Sequence, residues 1–161
     1  MESELAALRA DIEELRAEVR ALADLQAIAG LIARYGPAVD RGDSAAAAAL
    51  WTKDGRYDLG PLGIARGRDE IAALFAADMH QTLIGGGAAH MLGPPHVAVE
   101  GDEATAVCYS AVARWTGSAF ELFRVAANRW TFRREADGWR VTARANRLLD
   151  GAAEARDLLA E

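Results

Sequence analysis

Cysteine is almost absent from this chain, which has 161 residues and a single thiol, Cys108. One cysteine cannot form a disulfide within the chain, so an extracellular disulfide framework is excluded. The amino terminus is acidic and lacks the basic region and apolar stretch of a secretory signal. The alanine run at residues 45–49 is far too short to span a bilayer. These absences predict a cytoplasmic protein without a membrane anchor.

Basic residues are too few for a nucleic-acid surface. The formal net charge is −6, and seven acids against three arginines fall within residues 1–24, so the rest of the chain is nearly neutral. Nucleic-acid binding relies on clusters of Lys and Arg that neutralise phosphates, and the sequence has no such stripe. Its length and apolar fraction of 52% predict one globular domain with a substantial core and no nucleic-acid partner.

Residues 1–23 carry a heptad pattern. Apolar side chains follow one another at alternating spacings of three and four residues: Leu5, Leu8, Ile12, Leu15, Val19 and Leu22. β-Branched residues at a positions with leucine at d positions favour a parallel two-stranded coiled coil. The alternative is a helix that folds back against its own or a neighbouring subunit. Either arrangement predicts a homo-oligomer, a dimer or a trimer.

Residues 24–150 begin with helical patterning and end with strands. The apolar helix pattern continues to Tyr35, where Gly36-Pro37 predicts a break or a kink. Asp43-Ser44 is predicted to cap a short helix over 45–51, and another helix is predicted over 69–79. The predicted strands are 55–59, 63–66, 88–99, 103–116, 119–134 and 139–149.

Hairpin signals of Gly-Asp, Gly-Ser and Asp-Gly separate the last four strands. Helices followed by an antiparallel meander predict an α+β fold, with helices packed on one face of a curved sheet. Residues 151–161 are predicted to form a terminal tail or a short helix.

Two polar residues stand in apolar surroundings, Asp40 at the end of the first helix pattern and His90 inside the strand pattern of residues 88–99. A carboxylate or imidazole in such a setting is costly unless it finds a hydrogen-bond partner. If the two side chains meet, the carboxylate orients the imidazole and the pair forms a general base. Considered singly, Asp40 could instead cap the next helix or pair with Arg41, and His90 could be an ordinary core histidine.

No metal or cofactor is predicted. A catalytic metal needs three convergent ligands, and neither His-x-x-His nor Glu-x-x-His spacing occurs. The triple glycine at residues 85–87 lacks the Lys-Ser/Thr that completes a phosphate-binding loop, so it is interpreted as a turn. The chain also lacks a Gly-x-Ser-x-Gly nucleophile motif.

Alanine is frequent in the later strands, where it predicts either close packing against a helix or a cavity. Polar residues are interleaved with those alanines, which favours a cavity with polar groups in its wall. These residues are Tyr109, Asn128, Arg144, Asn146 and Arg147.

Five segments resemble the SnoaL-like family of the nuclear transport factor 2-like superfamily. They are residues 25–50, 51–57, 67–71, 89–92 and 137–141. The resemblance covers about residues 24–150. It implies a cone-shaped α+β barrel, in which helices pack on a strongly curved mixed or antiparallel sheet and enclose a pocket. It is less specific for the reaction, because this fold hosts many activities.

Within the family, the nearest patterns are those of bile acid 7α-dehydratase and hexachlorocyclohexane dehydrochlorinase, which use an Asp–His dyad. The resemblance implies that Asp40 and His90 form the dyad and that Tyr35 is a third catalytic residue. It also implies an arginine near the end of the last strand, for which Arg147 is the better match and Arg144 the alternative. The predicted substrate-binding residues are Trp51, Tyr57, Tyr109, Asn128, Arg144 and Arg147.

The leading hypothesis is a cofactor-independent lyase, of dehydratase or dehydrohalogenase type, that acts on a small, largely apolar organic molecule. His90, oriented by Asp40, would take a proton from carbon, and Tyr35 would donate to the departing oxygen or to a developing enolate. The alternatives are an isomerase or polyketide-cyclase-type enzyme with the same base, a non-catalytic small-molecule carrier or sensor, and an assembly module that works through its heptads.

Overall fold

The first helix is longer than its sequence pattern predicts. In a computed structural model, which describes residues 1–160, helix α1 runs from Glu2 to Asp40 with Pro37 inside it. Of the predicted break or kink at Gly36-Pro37, the break is therefore wrong. Described side chains before Asp24 are all exposed, whereas Ile28 and several residues after it are buried. The first half of α1 thus extends beyond the domain as an exposed arm.

Four shorter helices and seven strands follow α1 within the described residues. The helices are α2 (Ser44–Ala48), α3 (Gly67–Ala76), α4 (Asp78–Gly85) and α5 (Ala153–Asp157), and a 3-10 turn spans Gly60–Leu62. The strands are β1 (Trp51–Asp58), β2 (Ile64–Arg66), β3 (Ala88–Leu92), β4 (His96–Glu100), β5 (Glu103–Trp115), β6 (Phe120–Glu135) and β7 (Gly138–Leu148). Residue 161, the end of the predicted tail, lies outside the described residues.

Two predicted elements are each divided in the structure. The predicted strand 88–99 becomes β3 and β4, because two prolines lie between them and proline cannot donate to a sheet ladder. The predicted helix 69–79 becomes α3 and α4, because Ala77 between them has an extended backbone (φ −62°, ψ 143°). The second division moves His80 from a helix end to the first turn of α4.

The strands form one mixed sheet in the order β2-β1-β7-β6-β5-β3, and β4 also pairs with β5. β1 and β7 run parallel, whereas the other neighbours are antiparallel. β5 pairs with β4 over residues 103–107 and with β3 over residues 110–114, so the sheet curls along its length. The helices pack on this curled sheet, and the predicted α+β fold is confirmed.

The core lies between the concave face of the sheet and the second half of α1 with α2 and α3. Its largest fully buried side chains are Trp51, Trp130, Phe132, Ile28, Leu31 and Ile32. None of the helices in residues 1–160 is both long enough and apolar enough to cross a membrane.

Asp24 ties α1 to the sheet at the point where the exposed arm ends. Its carboxylate accepts hydrogen bonds from Nη1 and Nη2 of Arg134, both at 2.7 Å, and from Nε1 of Trp139 at 3.0 Å. The hydrogen bond from Arg134 is the largest influence on the pKa of Asp24 and holds it below the usual 3.8, although burial works in the opposite direction.

Replacing Asp24 with asparagine is expected to lower the free energy of unfolding by about 1 kcal/mol at pH 7, because the ion pair is partly exposed. The folded-state pKa is lower than the unfolded value, so the carboxylate stabilises the fold fully well above pH 3.8. That contribution is lost as the pH falls below 3.8 towards the folded-state pKa. Urea unfolding at pH 7 and in acid should therefore show a wild-type advantage only at pH 7. Asp11→Asn on the exposed arm is the control and should change little; an Asp24→Asn deficit that persists in strong acid would refute this account.

Candidate functional site

A cavity of about 760 Å³ lies between the helices and the curled sheet. Apolar side chains make up most of its wall, which is typical of sites for small organic molecules. The titratable side chains in the wall are Tyr35, Tyr57, His80, His90, Arg114, Arg124 and Arg144. They come from α1, α4 and five strands, so the folded sheet is what brings them together.

Asp40 and His90 meet at one side of this cavity. Oδ1 of Asp40 lies 2.5 Å from Nδ1 of His90, and Oδ2 accepts a hydrogen bond of 2.8 Å from the backbone N–H of the same histidine. The two side chains are 24% and 14% exposed, respectively, so the contact is largely shielded from water. One carboxylate therefore holds both the ring and the strand of His90.

The contact between Asp40 and Nδ1 of His90 leaves the other ring nitrogen, Nε2, to face the cavity. A carboxylate accepts hydrogen bonds, so Nδ1 of His90 carries the hydrogen, and in the neutral ring the lone pair lies on Nε2. His90 lines the cavity, and its Nε2 is therefore the basic atom of the pair. Asp40 also stabilises the positive charge that forms when this nitrogen takes a proton.

Gly36 allows the end of α1 to approach β3 this closely. A Cβ at position 36 would lie 2.1 Å from the backbone oxygen of His90, which no side chain tolerates. The glycine lies one turn before Asp40 and faces the strand that carries the histidine. Gly36 is thus the reason that helix and strand can bring the two functional groups into contact.

Tyr35 and Tyr57 also line the cavity. Tyr35 packs edge-on against Trp51, Phe75 and Trp130, with ring centroids 5.9–6.1 Å apart. Burial raises the pKa of Tyr57, and a hydrogen bond that its hydroxyl donates to the side chain of Tyr35 adds to the rise, although Arg144 works in the opposite direction. The Tyr57 hydroxyl consequently stays protonated.

Four of the predicted substrate-binding residues do not line the cavity: Trp51, Asn128, Tyr109 and Arg147. Trp51 is fully buried behind Tyr57, on which it stacks at 5.7 Å between centroids. Asn128 is fully buried beneath the wall, where it binds other polar side chains. Tyr109 is 58% exposed, on the outer face of β5, because Cys108 and Ser110 occupy the inner face. Trp51 and Asn128 support the wall, and the prediction for Tyr109 is corrected to a surface position.

The structure places Arg144, and not Arg147, at the cavity. Arg147 donates to Asp58 at 2.9 Å, away from the cavity wall, so the preference for Arg147 is wrong. The reason is a β-bulge, since Thr131 of β6 pairs with Ala143 whereas Phe132 pairs with Val141. The extra residue in β7 reverses the alternation of inward and outward side chains.

Sequence reasoning missed two cavity residues, Arg124 and His80. Arg124 could have been found from Asn128, which lies four residues later in β6. Every second side chain of a strand shares a face, so the two side chains point to the same side of the sheet. His80 directly follows the helix predicted over residues 69–79, and the break at Ala77 is what brings it into the wall as part of α4.

His80 presents a second imidazole to the cavity. Its Nδ1 lies 3.0 Å from the carbonyl oxygen of Phe75, which only accepts, so Nδ1 carries the hydrogen. Its Nε2 is buried and has no hydrogen-bond partner among the described residues. Burial, followed by the nearby His90, lowers the pKa of His80 below its usual 6.5, so the ring is neutral at pH 7. The two histidine rings lie 5.5 Å apart between centroids.

The part of the chain that the structure describes contains no group of three or more His, Cys, Asp or Glu side chains that could hold a metal ion. The titratable groups of the cavity wall are therefore the imidazoles, phenols and guanidinium groups named above.

The sequence matches the model of the SnoaL-like domain over residues 20–145, and the chain belongs to the SnoaL-like family of the nuclear transport factor 2-like superfamily. This family includes polyketide cyclases and other enzymes that act on small molecules. No curated protein matches the chain.

Among solved structures, the chain is similar to an NTF2-like protein with a cystatin-like fold from Novosphingobium aromaticivorans. The two share 50% sequence identity, the match covers 91% of this chain and 96% of that chain, and the TM-score is 0.90. ActVI-ORFA from Streptomyces coelicolor shares the fold at 23% identity, 79% and 98% coverage and a TM-score of 0.68. A Catenulispora acidiphila structure in complex with S-DNPA shares it at 19% identity, 88% and 99% coverage and a TM-score of 0.68.

Proposed function

We propose that this protein is a cofactor-independent lyase that removes a proton from carbon in a small organic substrate. The observation that carries the proposal is the contact between Asp40 and His90 at the wall of a largely apolar cavity. An imidazole oriented by a carboxylate is a general base suited to neutral pH. Family membership supports the proposal, because the family includes enzymes that act on small organic molecules.

In the proposed reaction, Nε2 of His90 takes a proton from a carbon next to an activating group. The electron pair of the broken C–H bond forms a carbon–carbon double bond, and the leaving group departs from the neighbouring carbon with its own bonding pair. Asp40 stabilises the imidazolium that results. The proton held by His90 is afterwards released to water, which restores the base.

Tyr35 and Tyr57 are the proposed donors to the oxygen on which charge develops. Both line the cavity, and the hydroxyl of Tyr57 stays protonated because burial raises its pKa. When the leaving group is a hydroxyl, Tyr35 donates a proton to it, so that water departs. Tyr35 then takes a proton back from solvent, which balances the proton that His90 releases. When the activating group is a carbonyl, the same hydroxyls stabilise the enolate.

An isomerase is the second candidate, and His80 is the observation that favours it. Its Nε2 carries a lone pair, and its ring lies 5.5 Å from that of His90 between centroids. A proton taken by one imidazole could be returned to a different carbon by the other, which lies beside it in the wall. An isomerase or cyclase product keeps the mass of its substrate, whereas a lyase product loses the leaving group.

A reaction run in D₂O tests the proposal whatever the leaving group is, because both product mass and deuterium incorporation can be followed. Candidate hydroxy and halogenated carbonyl compounds are incubated with the protein in D₂O, and carbon-bound deuterium is followed by NMR and mass spectrometry. A lyase gives an unsaturated product of lower mass, and an isomerase gives a product or substrate of unchanged skeleton that carries deuterium. Ligand binding without exchange or turnover in any compound would contradict both and favour a carrier.

We also propose that the exposed arm of α1 joins two or three copies of the chain. Its seam residues Leu8, Leu15 and Leu22 are between 56% and 65% exposed, and nothing in the described chain covers them. A second copy of the same heptads is the occupant that this pattern fits. The cytoplasmic location and the boundaries at residues 23 and 150 stay predictions.

Replacing Leu8, Leu15 and Leu22 together with glutamine is expected to convert the oligomer to monomer, because the seam loses its apolar d positions. Sedimentation velocity measures the change. Glu14→Gln and Arg20→Gln, on the outward side of the same heptads, form the control pair and should leave the mass unaltered. A wild-type protein that sediments as a monomer would refute the proposed assembly.

A further inference from the structure

Two arginines in the cavity wall have no carboxylate partner among residues 1–160. Arg144 is 3% exposed, and its Nε and Nη2 donate to Oδ1 of Asn128 at 3.0 and 2.7 Å. Its Nη1 is buried and has no hydrogen-bond partner in the described chain. Arg124 donates through Nη2 to Oδ1 of Asn146. The salt bridges formed within the described residues include neither arginine.

A buried positive charge without a counter-ion is costly. Aromatic rings offset part of that cost, since the guanidinium carbon of Arg144 lies 4.2, 4.7 and 4.3 Å from the ring centroids of Tyr35, Tyr57 and Trp130. Such contacts are favourable but leave the charge itself in place. The cavity wall therefore carries positive charge that the described side chains do not neutralise.

Neutral amides hold the two arginines together. Asn146 accepts from Arg124 through Oδ1 and donates through Nδ2 to Oδ1 of Asn128, which also accepts from Arg144. Nδ2 of Asn128 in turn donates to the hydroxyl of Ser110 at 2.9 Å. This network fixes the direction of both guanidinium groups without cancelling their charge, which is the preorganisation that an anion site requires.

The acidic side chains near the cavity are paired with residues other than Arg124 and Arg144. The wall contains no Asp or Glu among its described lining residues. Asp40 is bound to His90 through both oxygens, and Asp58 is bound to Arg147. Arg114, the third arginine of the wall, lies 3.6 Å from Glu121 at the exposed rim. Within the described chain, only Arg124 and Arg144 combine a place in the wall with the lack of an acidic partner.

We propose that Arg124 and Arg144 bind a carboxylate of the substrate, whose apolar body occupies the rest of the cavity. A planar guanidinium forms paired, charge-assisted hydrogen bonds to a carboxylate, and these are stronger than neutral ones. The ligand class is accordingly an aromatic or alicyclic carboxylic acid, which narrows the small organic substrate expected from sequence. The inference rests on the proposed function only in placing the reacting carbon beside His90, since binding of the acid requires no turnover.

The test compares an acid with its neutral amide. Calorimetry measures the binding of 2-naphthoate and 2-naphthamide, which have the same ring system and nearly the same shape. The acid is expected to bind the wild-type protein about tenfold more tightly or better, as charge-assisted hydrogen bonds allow. In Arg124→Gln, which keeps a hydrogen-bond donor but loses the charge, most of that preference should disappear, and Arg124→Lys should restore part of it.

Arg133→Gln is the matched control. Arg133 lies on the same strand, is exposed and faces Asp54 and Glu135, so its replacement changes the net charge equally without touching the cavity. Equal binding of acid and amide by the wild-type protein would overturn the inference. So would an equal loss of preference in Arg133→Gln, or no binding of either compound at concentrations on the order of 1 mM.

A further variant separates this inference from the proposed function. His90→Gln should still prefer the acid to the amide, because the base is not part of the anion site. If the acid preference holds while no compound exchanges deuterium or loses a leaving group, the carboxylate site stands and the lyase proposal fails. If exchange occurs on neutral substrates and acids show no advantage, the reverse conclusion follows.

Discussion

Glutamine in place of His90 is expected to lower the rate of turnover, measured as loss of the leaving group or as deuterium exchange, by about 10²–10⁴-fold, the usual contribution of a positioned general base. Glutamine has a similar volume and still forms hydrogen bonds, but it cannot take a proton at neutral pH. Asp40→Asn should reduce the rate by a similar factor, since an amide neither stabilises the imidazolium nor dictates which nitrogen carries the hydrogen.

Binding provides the companion measurement for both substitutions. 2-Naphthoate should bind the two variants within a few-fold of wild type, because the arginines of the wall are untouched. Tyr109→Phe serves as the control for the rate, since that hydroxyl lies on the outer face of β5. Full activity in His90→Gln would remove the general base from the proposal.

The second large effect is expected from Gly36→Ala. The added Cβ would lie 2.1 Å from the backbone oxygen of His90, so helix and strand must separate. Overpacking of this kind costs about 1–3 kcal/mol of stability. A shift of about 1 Å at the base also lowers turnover by about 10²-fold. Proton NMR of the folded variant should show the Nδ1–H resonance of His90 moved upfield, because its hydrogen bond to Asp40 lengthens.

Gly30→Ala is a control in the same helix. No heavy atom lies within 4 Å of the Cβ it would add, and the position is exposed. Removing a glycine from a helix interior should therefore stabilise the protein by about 0.5–1 kcal/mol. Urea unfolding measures both variants, and a Gly36→Ala protein with wild-type stability and an unmoved resonance would show that the backbones separate at little cost.

Local patterning was enough to predict most of the elements. Alternation with a period of two, interrupted by the hairpin signals after residues 100, 116 and 136, predicts the β5–β6–β7 meander to within one or two residues. Asp43 caps α2 as expected, since its Oδ1 accepts from the backbone N–H of Ala46 at 2.9 Å. These features depend on neighbours in sequence, which a single chain displays.

Long-range packing accounts for what the sequence did not predict. Proline usually ends a helix, but α1 continues past Pro37 because Val39 is buried against the domain and Asp40 is held by β3. The bulge in β7 arises from pairing with β6 and has no signature in its own residues, so the choice between Arg144 and Arg147 could not be made from one strand. The family resemblance implied an arginine near the end of β7, but only the register between β6 and β7 showed that Arg144 is the one at the cavity.

The bond between Asp40 and His90 joins positions 50 residues apart in the chain. Closing a loop of that length carries an entropic cost that only the packing of the intervening helices and strands repays. The contact between Asp40 and His90 therefore requires that α1 and β3 are already packed together. During refolding after dilution from denaturant, the return of deuterium exchange would consequently report when the amino-terminal half of the molecule has folded.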